Sequence, residues 1–377
     1  MPAESLRARL RANPFYEAVV PAGLVPSLDE DVTAFHRAIP GYAPTPLVAL
    51  PALATGLGLG EVWVKDESRR FGLDAFKALG ASYAIPRFLR GRDGRRWTFA
   101  TATAGNHGRA VAWTARMLGH RAVIFVPGHT APARLAALRG EGAEVVVVDG
   151  GYGDAVARAA EESARQGWQV ISDTAYPGYV EIPGWIMTGY TTLFAEASAQ
   201  LAAEGGSDPD VVLLQAGVGG LAWAGTCFCV RRSGAKRPRL VAVEPIEADG
   251  LGESIASPAG EIAGTRGRLQ TIMAGLNAAT PSLAAWPLIR AGMDAFVAVD
   301  DGYAEEAMRR LHAASPRVVA GESGAAGLAG LLALCSEPAL AEARRRLGLG
   351  RSARVLLINS EGATDPDSYR KIVGADP

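Results

Sequence analysis

The residues with chemistry to offer are spread over the whole chain. Lys77 lies in KDESRRFGLDAFKALGASY (65–83), between Phe76 and the small residues Gly80, Ala81 and Ser82. A lysine amine in such a setting loses part of its hydration, which makes it usable as a nucleophile or base. In TATAGNHG (101–108), Thr103, Ala104, Gly105, Asn106 and His107 run from a strand end into the start of a helix. The N–H groups of a first helical turn suit an anion such as an amino-acid carboxylate. The Asn106 amide adds a donor for a phenolate oxygen, and His107 reads as structural before catalytic. Asp173 follows QVIS (169–172), where a carboxylate serves as a general acid or pairs with a substrate ammonium. AGVGGLA (216–222) sets Gly217, Val218, Gly219 and Gly220 between a buried strand and a helix, so backbone N–H groups can converge on a phosphate. Ser360, in NSEG (359–362), offers a neutral hydroxyl.

The glycine turn by itself has two readings. Gly217-x-Gly219-x-x-Ala222, with Glu244 ending the next strand, also satisfies the dinucleotide fingerprint and its ribose-binding acid. No Lys-Ser or Lys-Thr follows, so it is not a nucleotide P-loop. Taken with the other three signals, each at the end of an expected strand, the turn becomes part of a larger set. An amine, a carboxylate-binding loop, a phosphate-binding loop and a hydroxyl facing a pyridine nitrogen are what pyridoxal phosphate needs when held on Lys77 as a Schiff base. The chain carries no HExxH, no spaced Cys/His set and no GxSxG, so metal and serine hydrolysis have no support.

These residues need a scaffold that presents strand ends. Apolar runs of four to six residues alternate with helical windows, which predicts βαβ units and a parallel sheet. The runs are 62–65, 98–103, 122–126, 145–148 and 169–172, then 211–215, 240–244, 296–299 and 355–359. Helices are expected over 74–89 (Asp74 as N-cap), 107–118, 131–139, 154–166, 185–203, 221–232, 303–314, 322–335 and 337–347. The fold class is α/β with two lobes, each a mostly parallel twisted sheet covered by helices. Residues 1–89 and 196–377 form the larger, cofactor-anchoring domain, and 90–195 the smaller inserted one. Residues 1–60 are rich in Pro and Gly and weakly periodic, with 36–54 read as an entry segment leading into a short helix, and 204–209 read as a linker.

Bulk properties exclude several classes. With 377 residues, 49% hydrophobic and 20% charged, the chain has ample material for a core. A net charge of −1 gives no basis for a nucleic-acid partner. Three cysteines in apolar stretches (Cys227, Cys229, Cys335) fit reduced thiols and a cytoplasmic location. The first residues contain no apolar signal region. Residues 211–230 are uncharged and long enough to span a membrane, but the glycines divide them into strand, turn and helix, so no membrane partner is expected.

At this level of detail the chain resembles the fold-type II pyridoxal-phosphate enzymes, the group similar to tryptophan synthase β. Within it the chain looks like the diaminopropionate ammonia-lyases. The likeness rests on KDESxRFGLxAFKxLG (65–80), GNHGRxVAW (105–113), DTA followed by Gly178-Tyr179 and IPGWIMTGY (173–190), QAGVGGLA (215–222), GESGAxG (321–327) and EGxTDPxxYRxIV (361–373). It implies Lys77 as the Schiff-base lysine and a catalytic Asp173. The turn Gly217–Gly220 would hold the phosphate, Asn106 the phenolic oxygen and Ser360 the ring nitrogen, with Thr103, Ala104, Gly105 and His107 lining the substrate. It further implies a small amino-acid substrate, a homodimer and elimination of 2,3-diaminopropionate to pyruvate and ammonia, and it decides against the dinucleotide reading.

Two departures matter. The branch reads TDGNHG, with an aspartate acting on the D-isomer, where this chain has Ala104. It also reads EGDTDP where this chain has Ala363. The first removes a titratable group, so L-isomer turnover is expected. Two further readings stay open: elimination or replacement on another β-substituted amino acid, as in serine/threonine dehydratases, and a non-catalytic protein that has kept the pocket.

Overall fold

A computed structural model describes residues 7–27 and 30–377. Residues 1–6, at the start of the weakly periodic stretch, and 28–29 lie outside the described residues. The β-branched runs form strands β1 (Ala8–Ala12), β2 (Leu47–Ala49), β3 (Glu61–Asp66), β4 (Thr98–Ala102), β5 (Arg121–Pro127), β6 (Glu144–Val148), β7 (Gln169–Val170), β8 (Val211–Gln215), β9 (Arg239–Pro245), β10 (Ala295–Val299) and β11 (Arg354–Asn359). Among the described residues these build two sheets, in the orders β1-β10-β9-β8-β11-β3-β2 and β6-β5-β4-β7.

The chain divides into two compact units. One takes the described residues of Met1–Asp29 with Pro44–Arg69 and Leu193–Pro377, and holds the seven-stranded sheet. Its inner strands pair in parallel, while β1 and β2 add antiparallel edges. Its core gathers Val211, Leu213, Val241, Val243, Val355 and Leu357 from the strands against the helix Ala326–Ser336. That helix is apolar all round and buried, as expected of one enclosed by core. The other unit, Glu30–Ala43 with Arg70–Thr192, holds the all-parallel four-stranded sheet and a core of Ala100, Val123, Phe125, Ala155 and Ala159. Against the expected boundary at 89/90, residues 70–89 group with this second unit, and Lys77 with them.

Four departures from the sequence reading concern the site. The helix expected from Asp74 begins at Lys77: helix α1 is Lys77–Leu89. Phe71, Gly72 and Asp74 all have left-handed φ (53°, 73° and 58°), which a helix cannot accommodate. Asp74 instead accepts from Arg109 at 3.3 Å. The strand expected over 169–172 stops at Val170. The single helix expected over 185–203 is two, α3 (Glu181–Gly189) and α4 (Thr191–Ala203), broken at Tyr190. At the break Gly189 lies against α1 so closely that a Cβ would stand 2.3 Å from the Leu79 carbonyl oxygen. Finally, β1 and β2 lie in the stretch 1–60 read as weakly periodic. Two further helices bear on the site: α2 (Asn106–Met117) and α5 (Gly220–Ser233). Residues 211–230 divide, as expected, into β8, a glycine turn and a helix. No single helix among the described residues is long and apolar enough to cross a membrane.

Candidate active site

Lys77 is the first residue of α1, so its side chain leaves the helix at the end where the chain has just turned. Its Nζ donates to Asp173 Oδ2 at 2.6 Å, and the two side chains are only 21% and 23% exposed. The Phe76 and Tyr190 rings flank the amine, with centroids 5.3 and 5.5 Å from Nζ, a distance at which their faces favour a cation. Burial acts to lower the Lys77 pKa, but the Asp173 carboxylate together with Tyr190 outweighs it and holds the amine well above the ordinary lysine range. Reciprocally, burial acts to raise Asp173, and the Lys77 charge overrides it and holds the carboxylate well below its usual range.

The loop that carries Asp173 is tied down by one phenol. Tyr179 Oη accepts from the Ser172 N–H at 2.9 Å and donates to the Val170 carbonyl at 2.9 Å. It thereby takes over the pairing at the point where β7 ends. A small bridge between Tyr176 and Tyr179 closes the turn, and their rings stack with centroids 4.9 Å apart.

Strand β4 ends at Ala102, and Thr103–Gly105 turn the chain into α2. Thr103 Oγ1 accepts from the Gly105 N–H at 3.1 Å, which fixes the turn. Asn106 opens the helix, whose first-turn N–H groups lack intrahelical acceptors by geometry. Ala104 is half-buried in that turn. His107 is buried, and its Nε2 lies 2.8 Å from the Ile171 carbonyl. A carbonyl only accepts, so Nε2 carries the hydrogen and Nδ1 presents its lone pair. Nδ1 lies 4.0 Å from Asp173 Oδ2, beyond hydrogen-bond range. Burial holds the ring below its ordinary pKa despite the nearby carboxylate. Within this unit, then, Lys77, Asp173 and His107 converge.

The remaining expected residues belong to the first unit and sit at the carboxyl ends of β8 and β11, which are adjacent and parallel. Gly219 has φ 93°, a left-handed conformation that opens α5, and a Cβ there would come within 2.7 Å of Ile289. Gly217 and Val218 precede it, and the Val218 carbonyl accepts from the Ser282 N–H at 2.9 Å. Gly220 begins the helix itself. Ser360 is 3% exposed, and its Oγ accepts from Gln215 Nε2 at 2.9 Å. Beside it, Glu361 accepts from the Ser323 N–H at 3.2 Å, and Ser323 Oγ accepts from the Gly275 N–H at 2.9 Å.

The dinucleotide reading fails at Glu244. This residue is fully buried, and its two oxygens accept from the Leu251 and Gly252 N–H groups at 2.7 and 2.9 Å. It is spent on starting a helix and has nothing left for a ribose. Cys227 and Cys229 are buried, and burial pushes both thiols up to about 12, so neither is a reactive thiolate. Tyr190, Tyr179 and Gln215 are the site residues to which sequence reasoning gave no role. All three fall inside the motifs quoted above, and the signal was a polar group in an otherwise apolar stretch.

The residues fit pyridoxal phosphate. Among the described residues Ser360 has no partner for its own proton, the left-handed Gly219 opens a helix toward an anion, and Lys77 is a shielded amine with a counter-charge. Comparison with known proteins agrees. A family model described as pyridoxal-phosphate dependent enzyme matches residues 38–361. The diaminopropionate ammonia-lyase of Salmonella typhimurium is 40% identical over 371 residues, 92% of each chain. The crystal structure of the Escherichia coli diaminopropionate ammonia-lyase in complex with D-serine matches with a TM-score of 0.90 at 38% identity, over 98% of this chain and 97% of that one. The same enzyme in complex with an aminoacrylate-PLP azomethine reaction intermediate gives 0.89 at 39%, with the same coverage. This is a fold-type II pyridoxal-phosphate-dependent enzyme. Within that class, the chain belongs to the diaminopropionate ammonia-lyase family.

Proposed function

We propose that this enzyme converts 2,3-diaminopropionate and water to pyruvate and two ammonia, on pyridoxal phosphate held by Lys77. The observation that carries the reading is the shielded Lys77–Asp173 pair, at 2.6 Å, in a chain of this family. When bound, the cofactor supplies the electron sink for the electrons released at the substrate Cα. The turn Gly217–Gly220 takes its phosphate, Asn106 its phenolic oxygen and Ser360 its ring nitrogen. The Thr103–His107 turn takes the substrate carboxylate on first-turn N–H groups.

The charged amine described above belongs to the cofactor-free chain; with the cofactor bound, the released Lys77 Nζ would be a neutral amine and would accept the Cα proton. The β-amine has to leave protonated, and the proton that Lys77 has taken from Cα serves, delivered by Lys77 itself or passed on through Asp173, whose Oδ2 is within hydrogen-bond reach of Nζ. Ala104 adds no titratable group to the turn, so turnover is confined to the L-isomer. Efficient release of pyruvate from the D-isomer by the purified enzyme would refute that. The same missing carboxylate supports a second reading, elimination or replacement on another β-substituted amino acid. We further propose that the enzyme is a cytoplasmic homodimer, a reading supported by the family likeness, and light scattering of the purified protein checks the dimer.

The test of the main reading is a visible spectrum before and after adding L-2,3-diaminopropionate, with pyruvate assayed in the same tube. The expected result is a yellow protein that releases pyruvate, and a Lys77→Ala variant that lacks both colour and product. Colour with no pyruvate moves the substrate to the second reading. A colourless protein that pyridoxal phosphate cannot reconstitute ends both.

A further inference from the structure

We infer that Gln215 is a positioning residue that fixes the direction of the Ser360 hydroxyl proton, making Ser360 a donor to the cofactor's ring nitrogen and keeping that nitrogen unprotonated. The inference rests on the placement of Ser360 proposed above and adds a role for Gln215.

Gln215 ends β8, is 2% exposed, and reaches across to β11. Its Nε2 lies 2.7 Å from the Ile358 carbonyl oxygen, 2.9 Å from Ser360 Oγ, 3.3 Å from the Gly324 carbonyl and 3.4 Å from the Ser323 carbonyl. Three of these four neighbours are carbonyls, which only accept, so this end of the amide is the NH2 end. Its two hydrogens go to the two nearest acceptors, Ile358 O and Ser360 Oγ.

Ser360 Oγ therefore receives a hydrogen bond and must send its single proton elsewhere. Among the described residues no other partner of Ser360 is present, and the side chain is buried. A buried donor left unmade is costly, so the position calls for an acceptor from outside the chain. An unprotonated pyridine nitrogen satisfies the hydroxyl proton. A pyridinium N–H could reach only the remaining lone pair and would leave that proton stranded. Gln215 thus selects between the two protonation states of the ring without touching it.

The measurement is nitrogen NMR of the holoenzyme reconstituted with ring-15N pyridoxal phosphate. The wild-type resonance is expected where an unprotonated, hydrogen-bonded pyridine nitrogen falls. Gln215→Met removes the donor, and the hydroxyl is freed to rotate. Gln215→Glu keeps the shape but offers at most one hydrogen and adds an oxygen that draws the Ser360 proton inward. Both variants, and Ser360→Ala, are expected to move the resonance to higher frequency as the nitrogen loses its donor. The double variant Q215M/S360A should move it no further than S360A alone. A pyridinium resonance in the wild-type protein overturns the inference without any variant. So does an unchanged resonance in a Gln215 variant that still binds the cofactor, because a purely structural crosslink between β8 and β11 would alter melting and leave the nitrogen alone. Failure of the wild-type protein to bind the labelled cofactor at all is a different outcome, and it removes the underlying reading as well.

Discussion

The Lys77–Asp173 pair sets two opposed effects against each other. Burial alone would strip the ammonium of its proton and give the carboxylate one. The pair survives because each charge answers the other at 2.6 Å. Its consequence for stability has a definite sign in cofactor-free protein. Asp173, held low, contributes above the unfolded aspartate value of about 3.9, and that contribution is lost as pH falls through the folded value. Lys77, held high, contributes below the unfolded lysine value of about 10.4, and its contribution is lost as pH rises through the folded value. The pair therefore stabilises at a constant level between about pH 5 and 9. In Asp173→Asn only the Tyr190 side chain is left to oppose burial, the largest single effect on Lys77, and the Lys77 pKa is expected to drop below the unfolded value. The unfolded chain then binds more protons than the folded one, so stability should rise with pH from neutrality toward about 10. Urea denaturation of the cofactor-free variant at a series of pH values checks this, and a profile as flat as wild type would contradict it.

At the scale of elements, the site depends on where regular structure stops. Strand β7 ends at Val170, and the Tyr179 hydroxyl replaces the next rung by serving both Ser172 and Val170. Tyr179→Phe leaves the Ser172 N–H without its acceptor, at a cost of about 1–3 kcal/mol. The expected result is a lower melting temperature together with a reduced kcat in an enzyme that still binds cofactor, because Asp173 is the next residue along. An unchanged kcat would show that Asp173 is held by other means. The same scale explains what the sequence made legible. Strands β4, β5, β8, β9, β10 and β11 announce themselves as apolar runs because both faces of a parallel sheet are covered. Lys77, Asn106, the glycine turn and Ser360 stand out because each follows or opens such a run. Tyr190 did not, since the helix break that places it beside Lys77 falls where Gly189 packs against Leu79, a contact between segments far apart in sequence. Gln215 was likewise invisible as an agent, because its four neighbours come from two other segments.

For the whole molecule, the larger sheet carries one strand that the apolar-run criterion passed over. In β1, Leu10 packs toward the core, while Arg9 and Arg11 pair with Asp249 and Glu253. That alternation of arginine and leucine is a period-two signal, masked by its position in a segment rich in proline and glycine. β1 lies antiparallel along β10, from Ala8 against Val299 to Ala12 against Ala295. β10 reads AFVAV and is buried at every position. Without β1, its unpaired N–H and C=O groups would form a bare, uncharged rim ready to template a foreign strand. A truncation that begins the chain after Ala12 should therefore keep every residue of the site and yet give a protein that self-associates, seen as a rise in light scattering with concentration. A truncated chain that stays as dispersed as the full one would assign that protection elsewhere. Two arginines on a short strand thus guard solubility at an edge far along the sequence from any residue that meets the substrate.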